Sequence, residues 1–304
     1  MSLSGGTASK ETWEYIIINY RLPKAITAVL TGVGLSISGL MMQTLFRNPL
    51  AGPYVLGLTS GSSLGVAMVI LSAGLLPGVT ASFLLSSYGI IAASCFGSFM
   101  VLLAVMIVST KLRDTMSILI VGLMFGSFTS AIVGVLTYFS TAEQLQKFTF
   151  WALGNLGNLS WTSILILGIS VAMGLLLSIR GIKALDALLL GENYARSIGI
   201  DYKKKQMLII IATSLLAGSI TAFAGPIAFI GLAVPHISKL VFRTSRHQIL
   251  FFATLLFGGT IMLICDILSQ VPGTDIILPI NAITSIFGAP VVIWLLLRKR
   301  NLMV

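Results

Sequence analysis

Residues 21–57 read RLPKAITAVLTGVGLSISGLMMQTLFRNPLAGPYVLG. Between Lys24 and Arg47 there is no charge. The apolar run at 26–45 is about 20 residues long, the length an α-helix needs to cross about 30 Å of hydrocarbon. It stops at Arg47-Asn48-Pro49, a turn signal, and a second apolar run opens at Tyr54. Runs of this kind recur to the end of the chain. Of 304 residues, 56% are hydrophobic and 9% charged, against roughly 25% charged in an ordinary soluble domain. The mean hydropathy is +1.01. A water-soluble core of this size lacks the polar surface to cover it. Ten-residue alternating strands, the mark of a membrane β-barrel, are not visible. The fold class is therefore all-α: a polytopic transmembrane helical bundle.

Nine spans are expected, at 26–45, 54–71, 88–108, 116–138, 161–179, 206–223, 227–241, 249–267 and 280–297. The seventh is short and carries Pro235, so a broken helix is expected there. The net charge of +10 could suggest nucleic acid, but its distribution argues against it. Fifteen Lys and Arg residues fall on one side of the spans and only Lys10, Arg21, Lys24 and Lys147 on the other. The positive-inside rule makes the crowded side cytoplasmic, with the C-terminus there and the N-terminus outside. The first fifteen residues contain no apolar run to export that N-terminus, which predicts a natural product longer at this end; SLSGGTAS also has the look of a linker or cloning scar. Residues 1–20 are thus a non-core segment and 21–304 the transmembrane domain. AGPYVLGL at 51–58 echoes AGPIAFIGL at 224–232. Gly-Pro breaks at matching places in two halves are a mark of transporters built from repeats, and the two spans they open are read as running in the same sense.

The densest charged island, 184–202, centres on DALLLGENYARSIGID at 186–201, with Lys203, Lys204 and Lys205 just beyond. Gly191 divides a short apolar helix from a second one starting at Glu192 and ending at Gly199. The resulting knob exposes Leu188, Leu189, Tyr194 and Ile198, a liability unless something covers them. Asp186 and Ser197 do not decide whether that cover is membrane or protein. A basic loop on anionic lipid is the alternative, and the knob's own acidic residues weaken it. No GxxxxGK[ST] phosphate loop is present, so the chain lacks the usual ATP site.

LGENYARSIGI in this island resembles the coupling segment of the permeases of ABC importers for iron-siderophores, haem and cobalamin, the FecCD-like type II importers. The stretch 21–57, GPIAFIGLAVPHISK at 225–239 and LPINAITSIFGAPVVIWLL at 278–296 resemble the same family in the same order. Members have ten spans, so the missing one would be the first. The resemblance implies a permease that forms the path for an iron chelate or cobalamin in the bacterial cytoplasmic (inner) membrane. It would work as a homodimer, or with a paralogous permease. Two ABC ATPases would bind ATP-Mg in its stead, leaving no cofactor in this chain, and an extracytoplasmic substrate-binding protein would deliver cargo. It further implies ATPase coupling by Leu190, Gly191, Glu192, Ala195, Arg196, Ser197 and Gly199. Asn48 and Leu50 would form a cytoplasmic gate with Thr115 and Met116. Arg21 and Lys24 would dock the binding protein, together with a third position that is basic in the family and is Gln270 here.

Other residues invite chemistry and are read structurally. His236 has no metal-ligand partner at helical spacing. Asp266 is read as a lone carboxylate making a helix-end hydrogen bond. Cys95 and Cys265 are expected as free thiols packed in apolar runs, and Trp13, Trp151 and Trp161 as interfacial anchors. Gly61-Ser62-Ser63-Leu64-Gly65 fits GxSxG, and Ser63 with His236 would make an intramembrane serine protease; small-residue helix packing explains the run equally. An ion-coupled secondary transporter would need several intramembrane carboxylates, and only Asp266 qualifies.

Overall fold

The computed structural model describes residues 11–73, 82–111, 115–157, 159–271 and 277–300. Among them every regular element is helical. α1 (Glu11–Ile16) runs through a π-turn at Ile17–Arg21 into α2 (Leu22–Leu45). A 3-10 turn (Pro53–Leu56) leads into α3 (Leu58–Ile70). There follow α4 (Ser87–Lys111), α5 (Thr115–Tyr138), α6 (Ala142–Ala152), α7 (Trp161–Leu189), α8 (Glu192–Ser197), α9 (Tyr202–Ala224), α10 (Ile230–Phe242), α11 (His247–Ser269) and α12 (Ile280–Arg300).

All nine expected spans correspond to helices. Six are long and apolar enough to cross a membrane, and three apolar helices, Leu58–Ile70, Ile230–Phe242 and Ile280–Trp294, are shorter. Large apolar side chains such as Phe96, Phe128, Leu165 and Leu176 lie exposed on the outer surface, as a bundle bathed in hydrocarbon requires. Cys95 also lies exposed on α4, not packed inside as expected; Cys265 is buried.

α2 forms the axis of the bundle and is buried along most of its length. Glycine is what lets its neighbours come so close. A β-carbon on Gly32 would lie 2.1 Å from the Gly258 carbonyl oxygen of α11, and one on Gly39 would lie 1.7 Å from the Gly231 carbonyl oxygen of α10. Pro235 has no N–H to offer that Gly231 carbonyl four residues back, and this is the oxygen that abuts Gly39. α3 and α4 mesh in the same way: a β-carbon on Gly65 would meet the Ala93 carbonyl oxygen at 2.1 Å, and one on Gly97 the Gly61 carbonyl oxygen at 2.1 Å. The GxSxG run is therefore a packing surface.

Two expectations are corrected, and one helix is additional. The first short helix of the island does not exist as a separate element. α7 continues unbroken to Leu189, because Leu185 and Leu188 remain buried beyond the point where Arg180 and Lys183 mark the exit from hydrocarbon. α6 was not expected; Thr141 and Gln144 close a reciprocal capping box at its start. Finally, α3 and α10 run in opposite senses. α3 starts from the bundle end where α2 stops, and α10 finishes at that same end, beside the start of α11.

The echo itself holds in geometry. Each Gly-Pro segment ends in a left-handed residue, Gly57 (φ 75°) and Phe229 (φ 65°), followed by a helix of 13 residues. The first irregular segment is buried apart from Tyr54, and the second is buried at Gly225 and half-buried from Pro226 to Phe229; non-helical backbone shielded by protein in this way is tolerated in a membrane protein. The first Gly-Pro segment also meets the helix that the second one opens: a β-carbon on Gly231 of α10 would lie 3.1 Å from the Pro53 ring.

Candidate functional site

The end of the bundle richest in Lys and Arg carries the island. α7 stops because Gly191 adopts φ 108° and ψ 165°, a conformation restricted to glycine. α8 then forms with Glu192 in its first turn and Arg196 in its last, the polarity its dipole favours. The two side chains pair across one turn, and the Arg196 guanidinium lies 5.9 Å from the centroid of the Tyr202 ring. Ala195 is fully buried beneath the turn. Gly199 (φ 82°) closes α8, with the N–H groups of Gly199 and Ile200 returning to the carbonyls of Arg196 and Ala195, each at 3.0 Å. Asp201 then caps α9, accepting from the Lys204 N–H at 3.2 Å. That hydrogen bond, reinforced by the Lys204 ammonium, holds the Asp201 carboxyl below its ordinary pKa.

The knob is thus a compact hook fixed at both ends by glycines. Leu190 (64% exposed), Tyr194 (45%) and Ile198 (52%) face outward. Ser197 is exposed too, its hydroxyl bonded to the Tyr194 carbonyl at 2.8 Å. Leu188, expected on this exposed face, is buried, and Leu189 is half-buried. The apolar surface is narrower than the sequence suggested.

The same end holds the turn after α2. Arg47 takes a left-handed φ of 48°, and the Asn48 side chain accepts from the Leu50 N–H at 2.9 Å. Leu50 is exposed, as is Met116 at the start of α5. The Thr115 side chain lies outside the described residues. What visibly joins the two elements is the 3-10 turn, which seats on Gly122 of α5 so that a β-carbon there would lie 2.3 Å from the Val55 carbonyl oxygen.

One constellation escaped sequence reading. His247, the first residue of α11, is buried. Its backbone N–H and its ring Nδ1 both lie 2.8 Å from Asp186 Oδ1 on α7, and its Nε2 lies 2.7 Å from Thr44 Oγ1 on α2. The partners are 61 and 203 residues away in sequence, so only the fold brings them together.

The opposite end gathers Arg21, Lys24 and Gln270. The Arg21 guanidinium donates to Gln270 Oε1, and Gln270 Nε2 donates to Asp266 Oδ2 at 3.2 Å. Lys24 Nζ lies 3.0 Å from Asp266 Oδ1, with the two side chains 16% and 8% exposed. Asp266 is therefore not the lone carboxylate expected: it is the anchor of an ion pair. The cluster lines a cavity of 840 Å³ together with Asn155 and Ile280. His236 behaves as read from sequence, its Nδ1 2.9 Å from the Leu232 carbonyl oxygen.

The FecCD transport family profile matches residues 2–298. The hemin transport system permease protein HmuU of Yersinia pestis is 31% identical over 296 residues, covering 97% of this chain and 87% of that protein. The vitamin B12 import system permease protein BtuC of Klebsiella pneumoniae is 33% identical over 289 residues, covering 95% and 84%. A solved ABC transporter described as metal-chelate type, in an inward-facing conformation, superposes with a TM-score of 0.85 at 29% identity, covering 96% of this chain and 90% of that one. With the helical bundle and its hooked segment, these matches make the chain a member of the FecCD transport family, a multi-pass ABC transporter permease and a transport component rather than an enzyme.

Proposed function

We propose that this chain forms the translocation path of an ABC importer for an iron chelate, haem or cobalamin. Two copies, or one copy and a paralogous permease, would pair with two ATPase subunits that bind ATP and Mg, and a substrate-binding protein would deliver the cargo. The observation that carries this reading is the hook at 190–199: compact, closed by a glycine at each end, and presenting Leu190, Tyr194 and Ile198 beside the polar Asn193, Arg196 and Ser197. It suits a handle seated in a groove of a separate engine, since closure of an ATPase dimer can tilt helices only through a stiff contact. The positive-inside rule puts that end in the cytoplasm, and the relatives' names point to tetrapyrroles and metal chelates as cargo. Asp266 is neutralised by Lys24, which does not favour an ion-coupled mechanism.

Reconstitution with the partner ATPase in proteoliposomes tests the reading, with a ferric siderophore, haem and cyanocobalamin as probes. Uptake of one probe that requires ATP supports it; uptake driven by a proton or sodium gradient without ATP overturns it. Glu192→Lys and Arg196→Glu are each expected to lower uptake per ATP at least about fivefold. The exposed pair itself contributes little to folding, so bundle stability should hold. The double swap Glu192→Arg/Arg196→Glu restores the pair but not the charge seen by a partner, and should stay uncoupled.

At the opposite mouth Arg21 is the exposed cation, while Lys24 is held by Asp266. Arg21→Glu should weaken binding-protein docking at most about fivefold, the range of an exposed ion pair, and the loss should shrink as salt rises. Gln270→Arg removes the acceptor that holds Arg21 and adds a cation, so docking should tighten. Titration of loaded binding protein against the purified complex at two ionic strengths reads both effects. Docking by Arg21→Glu that equals wild type at both strengths would reduce Arg21 to a helix-end anchor.

A further inference from the structure

Three helices at the hook end converge on one imidazole. Asp186 sits on the last turns of α7, just before the glycine that turns the chain into the hook. Thr44 sits on the last turn of α2, just before Arg47-Asn48. His247 begins α11 and touches both. Its Asp186 contact is two-pronged. The carboxylate takes the backbone N–H of His247 at 2.8 Å, capping a helix whose own N-cap residue, Arg246, provides no side-chain cap, and it faces ring Nδ1 at the same distance. A carboxylate can only accept, so Nδ1 carries a proton. Thr44 has a single hydroxyl proton and two neighbours, the Leu40 carbonyl at 2.9 Å and His247 Nε2 at 2.7 Å. If the hydroxyl donates to Leu40, Nε2 must carry a proton and donate to Thr44; if it donates to Nε2, the Leu40 contact is lost. In either arrangement the ring is held at both nitrogens, and it is 1% exposed, so it has no freedom to swing.

From this geometry we infer that His247 is a positioning residue that transmits movement of the hook to the turn at the end of α2. The inference rests on the proposed role of the hook as the ATPase handle. Asp186 moves with α7 and the hook; Thr44 moves with the chain that leads to Asn48 and Leu50. A rigid aromatic ring bonded to both passes displacement between them, whereas a flexible apolar contact would let them slide.

The variants are chosen to keep one arm at a time. His247→Asn retains a donor near the Nδ1 position for Asp186 but cannot reach Thr44. His247→Gln reaches toward Thr44 but gives up the side-chain contact to Asp186. Thr44→Val removes the hydroxyl at constant shape, and Thr44→Ser restores it. The full chain, with Cys95 and Cys265 replaced by serine, is assembled with its ATPase in nanodiscs. Spin labels are placed at Asn193 on the hook and Leu50 on the turn, each paired with a reference label at exposed Phe128 on α5. Distances are measured without nucleotide and after trapping with ATP and vanadate.

In the parent protein both labels shift on trapping. In His247→Asn, His247→Gln and Thr44→Val the hook label should still shift, while the shifted population at Leu50 falls at least about fivefold; Thr44→Ser should recover it. A purely structural role predicts the reverse, with thermal stability falling and the two labels still moving together in every variant, and that outcome overturns the inference. No shift at either label in the parent protein would instead count against the ATPase coupling on which the inference stands.

Discussion

Replacing Gly39 with valine is expected to prevent assembly of the bundle. A first side-chain carbon at this position would sit 1.7 Å from the Gly231 carbonyl oxygen and 2.8 Å from the Gly231 α-carbon. Both obstacles are backbone, so no rotamer change relieves them. Nor can α2 shift aside, since Gly32 is fitted just as closely against Gly258 on α11. The cost should exceed the ~1–3 kcal/mol of ordinary overpacking, lowering the folded-to-unfolded ratio by more than about a hundredfold. Size-exclusion chromatography in mild detergent reads this as loss of the monodisperse peak, and Gly39→Ala should already show it. Gly134→Ala on α5 is the control, because a β-carbon there meets nothing within 4 Å. A monodisperse Gly39→Val protein with wild-type thermal stability would show that α2 and α10 are not in this register.

The second large effect is expected at Gly191, and on function rather than assembly. The obstacle here is backbone conformation, since the nearest neighbour of an added β-carbon is the flexible end of Arg47 at 3.3 Å. Valine at φ 108° is strained by about 1–3 kcal/mol. The hook can relieve that strain by turning out of position, because it hangs at the end of α7 and Ala195 is its one side chain in the main core cluster. Gly191→Val should therefore purify as a folded bundle while ATP-driven uptake falls about tenfold or more, the equivalent of ~1.4 kcal/mol lost from a coupled contact. Uptake at the wild-type level, with haem or cobalamin as probe, would mean that the hook does not need its glycine.

The bundle was legible in the sequence because hydrocarbon imposes a one-dimensional rule: a run free of charge and long enough must span. That rule reports where the chain leaves the membrane, and a helix need not end there. Arg180 and Lys183 mark the exit, yet α7 continues to Leu189 on the strength of buried Leu185 and Leu188. The rule also misses α6, whose eleven residues include Glu143, Gln144 and Lys147; the Thr141–Gln144 capping signal was the available clue. The sense of the two repeat helices follows from the parity of nine crossings, which sets the second and the seventh in opposite directions. At the candidate site, the local features were readable: the glycines, the short acidic-to-basic helix and the Asn48 turn. The cross-links were not. Lys24 with Asp266, and Asp186 with His247 and Thr44, depend on which distant helices become neighbours. Asp266 looked solitary only because its partner lies at the other end of the chain.

The axial position of α2 sets the order of events at the ribosome. Gln43 is buried; its amide donates to the Leu232 carbonyl at 3.2 Å and accepts from Lys239 at 3.3 Å, the first of these 189 residues downstream. When α2 leaves the insertion machinery neither partner has been synthesised. A primary amide stranded in lipid is costly and seeks any polar companion, while the glycine faces awaiting α10 and α11 stay open to wrong neighbours. Closure of the molecule is thus postponed until most of the polypeptide has been made. The newborn first half must be sheltered through that interval, and a ribosome pause before residue 232 would prolong the period in which it is open to degradation.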